Sequence, residues 1–565
     1  MQGHSSRQRG ILPLIIALMG AGCVSRTPPD AICLPAELPS PAESGDILNG
    51  LKMSVVEGFT DPTPCLILED LDGDGALDLV VGDRDVSDGL PGLRILWGGP
   101  VPDAPRSLLV LGRGATPSAG CTAINVDGDP SLELLVGTEE GTVWIVDGLP
   151  ERIPEALPAS IPLPDEALGV RIVVATQVDL DRAGAPDLIL GGSNAPILPC
   201  VVVDDDPGGG ADVQLQHTLQ PEGWLACYVA QEGGGFAPAP DLCPEFPPAL
   251  YLGAAVGEVQ GDGLADVLVV VDFGENRLLL GASEGGLQSA PESAGLVGYN
   301  HGMGAVFADL TSRGTSDLYI TDLGPDQLYR AVGCGLWEEA GKETGVALAT
   351  DRTISWGVAP GDLDRDGDLD LVVGNSMVVG PEGFANGDVC RTPVRDVPQF
   401  DSLLVQEEGG LFTSHPLAHG PDYGGTWSEV GLVMGDVGGD GDLDIISAES
   451  GRVLYRENTV VPAGDYLVVR PVNALGSPVP GATVTVRSEL RGTQTRRVDA
   501  GTGFSGHHPL EVHLGLGWDD VLHEVRVRWP DGVERVERGW APGSRHVVPP
   551  PPKEVRDPGP SFVLP

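Results

Sequence analysis

Short apolar runs separated by Gly, Asp and Pro dominate the chain. The first set is Cys65-Leu-Ile-Leu68, then 77–81, Leu93-Arg-Ile-Leu-Trp97 and Leu108-Leu-Val-Leu111. Runs of this length and composition predict strands. Between the first two lies an acidic loop, Asp70-Leu-Asp72-Gly-Asp74-Gly75-Ala-Leu-Asp78, and the same frame recurs in full at 362–370. Weaker copies begin at Asn125, Asp179, Glu258, Asp309 and Asp436, so the seven starts are 55, 54, 79, 51, 53 and 74 residues apart. A base period near 53 with two insertions of about 20–25 residues marks a propeller or solenoid. Four short strands per unit, seven times, predict an all-β fold with a seven-bladed β-propeller. The seventh unit offers only three runs, the last at 452–456, and residues 52–56 are the expected fourth strand. Borrowing it would remove a sheet edge. Beyond the repeats, Tyr466-Leu-Val-Val-Arg470, 482–486 and 524–529 alternate with period two, which predicts a small C-terminal β-sandwich-like domain. The expected division is an export signal over 1–22, a linker over 23–50, the propeller over 51–460, the β-domain over 461–548 and a Pro-rich tail over 549–565.

The acidic frame D-x-D-x-D-G-x-x-D places oxygen donors at positions 1, 3, 5 and 9. A hard cation that takes six to eight oxygens fits such a set, and Ca²⁺ is the expected ion. Glycine at position 6 permits the turn around it. An EF-hand would need Glu at position 12, where Val81 and Val373 stand inside strand runs. The complete loops are Asp70/Asp72/Asp74/Asp78 and Asp362/Asp364/Asp366/Asp370. Asn125/Asp127/Asp129/Glu133 keeps four donors but has Pro130 at position 6, and Glu258/Gln260/Asp262/Asp266 keeps all four. Asp179/Asp181/Asp187 has Ala183 at position 5, and Asp436/Asp440/Asp444 has Gly438 at position 3. The fifth loop keeps Asp309 and Asp317 but carries Arg313, whose guanidinium is expected to replace a cation there. Two to six bound Ca²⁺ ions are therefore expected. Asp and Gly are also ordinary turn residues, but seven loops in register favour ligation over that reading.

Charge sharpens the picture. The 565 residues hold 82 Asp plus Glu against 33 Lys plus Arg, a net charge of −49. That excludes a nucleic-acid binder and a polybasic membrane-surface protein, while 41% hydrophobic residues oppose disorder. Residues 451–565 carry 14 basic and 13 acidic residues, so their net charge is +1 and the rest of the chain carries −50.

Residues 1–22 read as an export signal, with Arg7 and Arg9 ahead of an apolar stretch over 11–18. Gly20-Ala-Gly-Cys23 resembles a bacterial lipobox with Gly20 where Leu is usual, which would make Cys23 the lipidated mature N-terminus; ordinary cleaved secretion is the alternative. Either route leads to an oxidising, extracytoplasmic compartment, the bacterial periplasm, outer membrane or exterior. Eight cysteines remain after Cys23, and the crowding of Cys200, Cys227 and Cys243 predicts a local disulfide.

At the acidic loops and at Met303-Gly-Ala-Val-Phe-Ala-Asp309, Ser355-Trp-Gly-Val-Ala-Pro-Gly-Asp362 and Val453-Leu-Tyr-Arg456 the chain resembles the FG-GAP/VCBS repeat family, whose propeller is also seen in integrin α-subunit heads. Pro480-Gly-Ala-Thr-Val-Thr-Val486, Asp499-Ala-Gly-Thr-Gly-Phe504, His513-Leu-Gly-Leu-Gly517 and 525–532 resemble the ASPIC/UnbV domain. Their order resembles the cartilage acidic protein family and its bacterial relatives. The resemblance implies calcium binding and a surface or extracellular location, and it implies no catalytic activity.

Gly501-Thr-Gly-Phe-Ser-Gly506 matches G-x-G-x-x-G, but a strand pattern follows instead of the helix that a dinucleotide site needs. His507, His508 and His513 are expected as surface turn and strand residues. No nucleophile elbow, Walker loop or H-E-x-x-H occurs. The expectation is a monomeric, non-catalytic binding, adhesion or scaffold module whose partner is an extracellular protein or glycan, with no nucleic-acid partner and membrane attachment only through the lipid. The partner face is expected opposite the acidic loops or in the insertions at 193–250 and 375–430. The alternative is a polysaccharide-active propeller, a lyase or hydrolase.

Overall fold

The computed structural model describes residues 50–552 apart from 100–103, 160, 195–221, 292–295, 297–298, 334–335, 352, 377–398, 408, 418–429, 450, 461–463 and 500–502. The expected signal, Cys23, nearly all of the linker, most of the tail and large parts of both insertions lie outside the described residues.

Seven four-stranded antiparallel sheets follow one another. Their first strands are Pro62–Glu69, Pro117–Ile124, Ile172–Val178, Leu250–Gly257, Ala305–Ala308, Ser355–Gly361 and Gly431–Gly435. Each first strand packs against those of its neighbours, and the seventh packs against the first. Pro62–Glu69, Pro117–Ile124 and Leu250–Gly257 are buried at every residue, whereas the fourth strand of the first sheet, Arg106–Val110, alternates between exposed and half-buried positions. This is why the first strand of each unit reads as a continuous apolar run: it is covered on both faces. The architecture is that of a β-propeller. In the seventh sheet the outermost strand is Leu51–Val56, antiparallel to Arg452–Asn458 with Met53 opposite Arg456, as expected for residues 52–56. A disulfide between Cys65 and Cys121, Cα atoms 5.6 Å apart, ties the first strands of sheets one and two. A second joins Cys227 and Cys243, the local bridge predicted from their spacing.

The C-terminal domain has two sheets. Asp465–Pro471 pairs with Val512–Gly517 and, in parallel, with Ser544–Val548. Thr483–Ser488 pairs with Thr493–Arg497 and Leu522–Arg528, and Leu522–Arg528 pairs with Glu534–Glu537. Their inner side chains, among them Leu467, Val484, Leu514 and Trp529, join one hydrophobic cluster with Cys65, Ile67 and Leu134 of the propeller. The domain therefore sits on the acidic-loop side of the propeller.

From it a segment over 503–509 enters among the first strands. The Gly503 N–H donates to Ala305 O at 2.7 Å, the His507 N–H to Leu66 O at 2.9 Å, and the Leu68 N–H to His507 O at 2.9 Å. Phe504 is wholly buried and meets Trp356 edge-on at 5.1 Å. A residual cavity of about 30 Å³ remains beside the first strands of sheets two to four. The three histidines expected at the surface are not there. His507 is fully buried with Nδ1 3.0 Å from Thr122 Oγ1, His508 Nδ1 accepts from the Met434 N–H at 3.1 Å, and His513 Nε2 lies 2.8 Å from Gly441 O. Each serves the seam between domains, a tertiary placement that leaves no local pattern.

Candidate metal centres

Each acidic loop connects the first and second strands of a sheet, so the repeat brings all seven to one side. Within a loop, successive Asx turns point the acids inward. Asp72 accepts from the Asp74 N–H at 3.1 Å and Asp74 from the Ala76 N–H at 2.9 Å. In the sixth loop Asp364 accepts from Asp366 at 3.1 Å and Asp366 from Asp368 at 2.9 Å. The position-6 glycines adopt φ of +90° at Gly75 and +103° at Gly367, where a side chain would be strained.

The structure brings together four oxygen groups within 4.8 Å of one another: Asp70/Asp72/Asp78, Asp127/Asp129/Glu133, Asp179/Asp181/Asp187 and Asp362/Asp364/Asp366. Among the described residues no comparable cluster forms from Glu258, Gln260, Asp262 and Asp266 or from Asp436, Asp440 and Asp444. Glu258 turns back onto its own loop, accepting from Gly261 and Asp262 N–H. Asp436 is taken by Arg545 at 3.3 Å.

Position 1 carries the clearest sign of a missing partner. Asp70, Asp179 and Asp362 each keep one oxygen bonded to the position-6 backbone N–H, of Gly75 at 3.2 Å, Gly184 at 3.2 Å and Gly367 at 2.8 Å. The other oxygen, Oδ1, is buried in all three with no hydrogen-bond partner. A buried carboxylate oxygen left so is costly, and a cation at the loop centre would satisfy it.

Electrostatics agree. Burial, reinforced by neighbouring carboxylates, pushes Asp78, Glu133, Asp364 and Asp444 up to about 7, and Asp179 and Asp266 up to about 6. The same causes push Asp362 and Asp370 well above the usual range. Positive charge at the loop centre would favour the ionised form of these acids. Part of it comes from arginines: Arg152 bonds Asp72 and lies 2.8 Å from Asp74.

Position 9 has a second role that its sequence pattern disguises. One oxygen accepts from the position-2 N–H, as in Asp78 from Leu71 at 2.9 Å, Asp187 from Leu180 at 2.8 Å, Asp266 from Val259 at 2.8 Å and Asp370 from Leu363 at 3.1 Å. The other accepts from the N–H at or just past the end of the third strand, Gly98 at 2.7 Å, Ala230 at 2.8 Å, Gly281 at 2.8 Å and Gln406 at 2.9 Å for the same four acids. Asp317 and Asp444 make that second bond too, to Ala331 at 3.0 Å and Asn458 at 2.8 Å. Position 9 is thus a staple to the third strand in six of the seven sheets, and in the second Glu133 accepts from the Val126 N–H at 2.7 Å. The signal was present in the sequence, because the fifth loop keeps Asp317 after losing most other donors.

The fifth loop also corrects an expectation. Arg313 is exposed and its guanidinium does not fill the loop. Asp309 instead accepts from the Arg313 N–H at 2.8 Å and the Gly314 N–H at 2.9 Å, one bond on each oxygen.

Comparison with known proteins agrees with this architecture. Residues 309–373 match the FG-GAP-like repeat and residues 474–555 match ASPIC and UnbV. Cartilage acidic protein 1 of Mus musculus is 27% identical over 322 residues, covering 48% of this chain and 48% of its own length. The Homo sapiens protein is 27% identical over 312 residues, covering 46% of each. The chain thus spans about half the length of the curated relatives it matches. Among solved structures, an Agrocybe aegerita lectin recognising terminal N-acetylglucosamine aligns with a TM-score of 0.36 at 16% identity, over 69% of this chain and 84% of that one. YCF48 bound to D1 peptide aligns with a TM-score of 0.38 at 10% identity, over 76% of this chain and all of the other. Both scores are low, and the reading of the fold rests on the sheets themselves.

Proposed function

We propose that this is an exported, calcium-loaded β-propeller that acts as a non-catalytic binding, adhesion or scaffold module at the cell surface. The observation that carries the calcium reading is the buried, unpartnered Oδ1 of Asp70, Asp179 and Asp362 at one equivalent position of three loops. Asp70, Asp72, Asp74 and Asp78 would hold one ion, and Asp362, Asp364, Asp366 and Asp370 another, with the loops at 125–133 and 179–187 as further sites. The ion would supply fixed positive charge that holds the like-charged loops closed. Two disulfides fit an oxidising compartment, and among the described residues no helix is long and apolar enough to cross a membrane. Lipid anchoring through Cys23 on a bacterial surface belongs to the same proposal.

The C-terminal domain occupies the loop side, so the partner, an extracellular protein or glycan, is assigned to the opposite side. Equilibrium dialysis with Ca²⁺ tests the metal. A glycan and protein array on the mature protein, with and without Ca²⁺, tests the partner. Turnover of a glycan in that array would favour the polysaccharide-active alternative.

A further inference from the structure

The four clustered loops are not alike. In the groups at 70–78, 127–133 and 179–187 at least one acid at position 3 or 5 opens to solvent; Asp74, for example, is 46% exposed. In the sixth loop Asp362 is 2% exposed and Asp364 5%. The C-terminal domain is the reason. Gly515 lies against Asp362 so closely that a Cβ there would sit 2.0 Å from its Oδ2. The Gly517 N–H donates to Arg365 O at 2.9 Å. Arg496 Nη2 donates to Gly367 O at 3.1 Å, and Arg491 approaches Asp366 at 3.8 Å. The Arg365 side chain leaves the loop to stack over Tyr466 at 4.8 Å and pair with Asp442 at 2.8 Å. Loop and domain therefore close on each other.

Charge makes the closure conditional. Asp362, Asp364 and Asp366 gather within 4.8 Å of one another, and Asp368 and Asp370 stand beside them. The domain brings two guanidiniums, Arg491 and Arg496. The carboxylates outnumber them, and the unpartnered Asp362 Oδ1 marks where further positive charge is wanted. We infer that the sixth loop is an interdomain lock: its cation is sealed in by the C-terminal domain, exchanges far more slowly than cations in the other loops, and holds that domain in place. This rests on the calcium reading above and adds a function that the other loops do not share.

The test uses the full mature protein loaded with ⁴⁵Ca²⁺, mixed with excess EDTA and passed through rapid desalting at increasing delays. Release is expected in two classes, with the slow class at least tenfold slower and near one ion per chain. Gly515→Ala forces the seal apart, and Arg491→Ala with Arg496→Ala weakens it without touching a cation ligand; each should convert the slow class to the fast one and leave the fast class unchanged. Limited proteolysis of the wild type should release the C-terminal domain only after the slow ion has left. The two arginine variants keep the inference falsifiable if Gly515→Ala does not fold. Release in a single fast class overturns the lock, as does a slow class that survives in the folded variants. No bound calcium at equilibrium overturns the calcium reading and the lock together, whereas calcium bound in one class overturns only the lock.

Discussion

Replacing Glu69 by Gln isolates how the C-terminal domain is held. Glu69 ends the first strand of the first sheet, fully buried. It meets Arg470 at 2.5 Å, accepts from the Leu510 N–H at 2.7 Å and the Asp70 N–H at 2.8 Å, and has His507 Nε2 3.9 Å away. Burial alone would raise its pKa, but the Arg470 charge and the hydrogen bonds outweigh burial and hold it at about 2, from an ordinary 4.5. At about 1.4 kcal/mol per pH unit, that depression corresponds to about 3 kcal/mol. Gln keeps the shape and one acceptor but takes from buried Arg470 its 2.5 Å counter-charge, leaving only Glu511 and Asp70 to act on it, and breaking such a pair costs about 3–5 kcal/mol. The expected loss at pH 7 and fixed Ca²⁺ is therefore about 3–4 kcal/mol, read from urea midpoints by tryptophan fluorescence and far-ultraviolet circular dichroism. Because the folded pKa is depressed, this stability is present above about 4.5 and drains away as pH falls toward 2. The gap between Glu69→Gln and wild type should shrink to half or less by pH 3. Adding Arg470→Met to Glu69→Gln should restore much of the loss, since no charge is then stranded. A Glu69→Gln protein within 1 kcal/mol of wild type at pH 7, or a gap that does not narrow with acid, refutes the reasoning.

Further outcomes follow from the same structure. Phe504→Ala empties the site beside Trp356 and should cost about 3–5 kcal/mol, seen as a lower melting temperature; a change below 1 kcal/mol would mean that the inserted segment carries little of the docking. For calcium-free protein, the acids of the clustered loops raised to about 7, Asp78, Glu133 and Asp364, make folding more favourable below their unfolded values near 4 and less so as pH rises through 7. Its melting temperature should fall between pH 5 and 7.5, and Ca²⁺ should abolish most of that fall; a flat profile without calcium would count against buried ionised loops. Asp317→Ala removes bonds to Ala331 and Thr311 and should cost about 2–4 kcal/mol with no change in calcium stoichiometry. Arg456→Met removes the guanidinium that lies 2.9 Å from buried Asp401 and should destabilise by about 3–5 kcal/mol in chemical denaturation.

What the sequence discloses depends on how far apart the interacting residues lie. The strands at 65–68 and 77–81, the loop at 70–78 and the borrowed strand at 52–56 are legible because each is repeated or locally patterned, and the structure places them as Pro62–Glu69, Asp78–Ser87 and Leu51–Val56. The staple role of position 9 is only half legible, because a carboxylate that accepts two backbone N–H bonds and one that ligates an ion look the same in sequence. The packing of His507, His508 and His513 into the seam is not legible at all. It depends on partners 385, 74 and 72 residues away in the chain, and a single non-repeated segment leaves no period to detect.

The charge asymmetry between the two parts of the chain acquires a physical meaning from that seam. A C-terminal region near neutrality beside a propeller region at −50 first reads as a difference in composition. In the structure its arginines are distributed over the acidic side: Arg470 at Glu69, Arg491 and Arg496 at the sixth loop, and Arg545 at Asp436 and Glu511. On the proposed calcium reading, guanidiniums and a cation would answer the same carboxylates, and where each does so would decide what each loop can be. At the seventh loop Arg545 sits on the position-1 acid in a frame that lacks position 3, so arginine supplies the positive charge. At the sixth, Arg491 and Arg496 reach only the rim, and the centre is left with an unpartnered buried oxygen. If the proposed calcium reading holds, the same domain dispenses with an ion at one loop and depends on one at another, which an even spread of basic residues along the chain would not achieve.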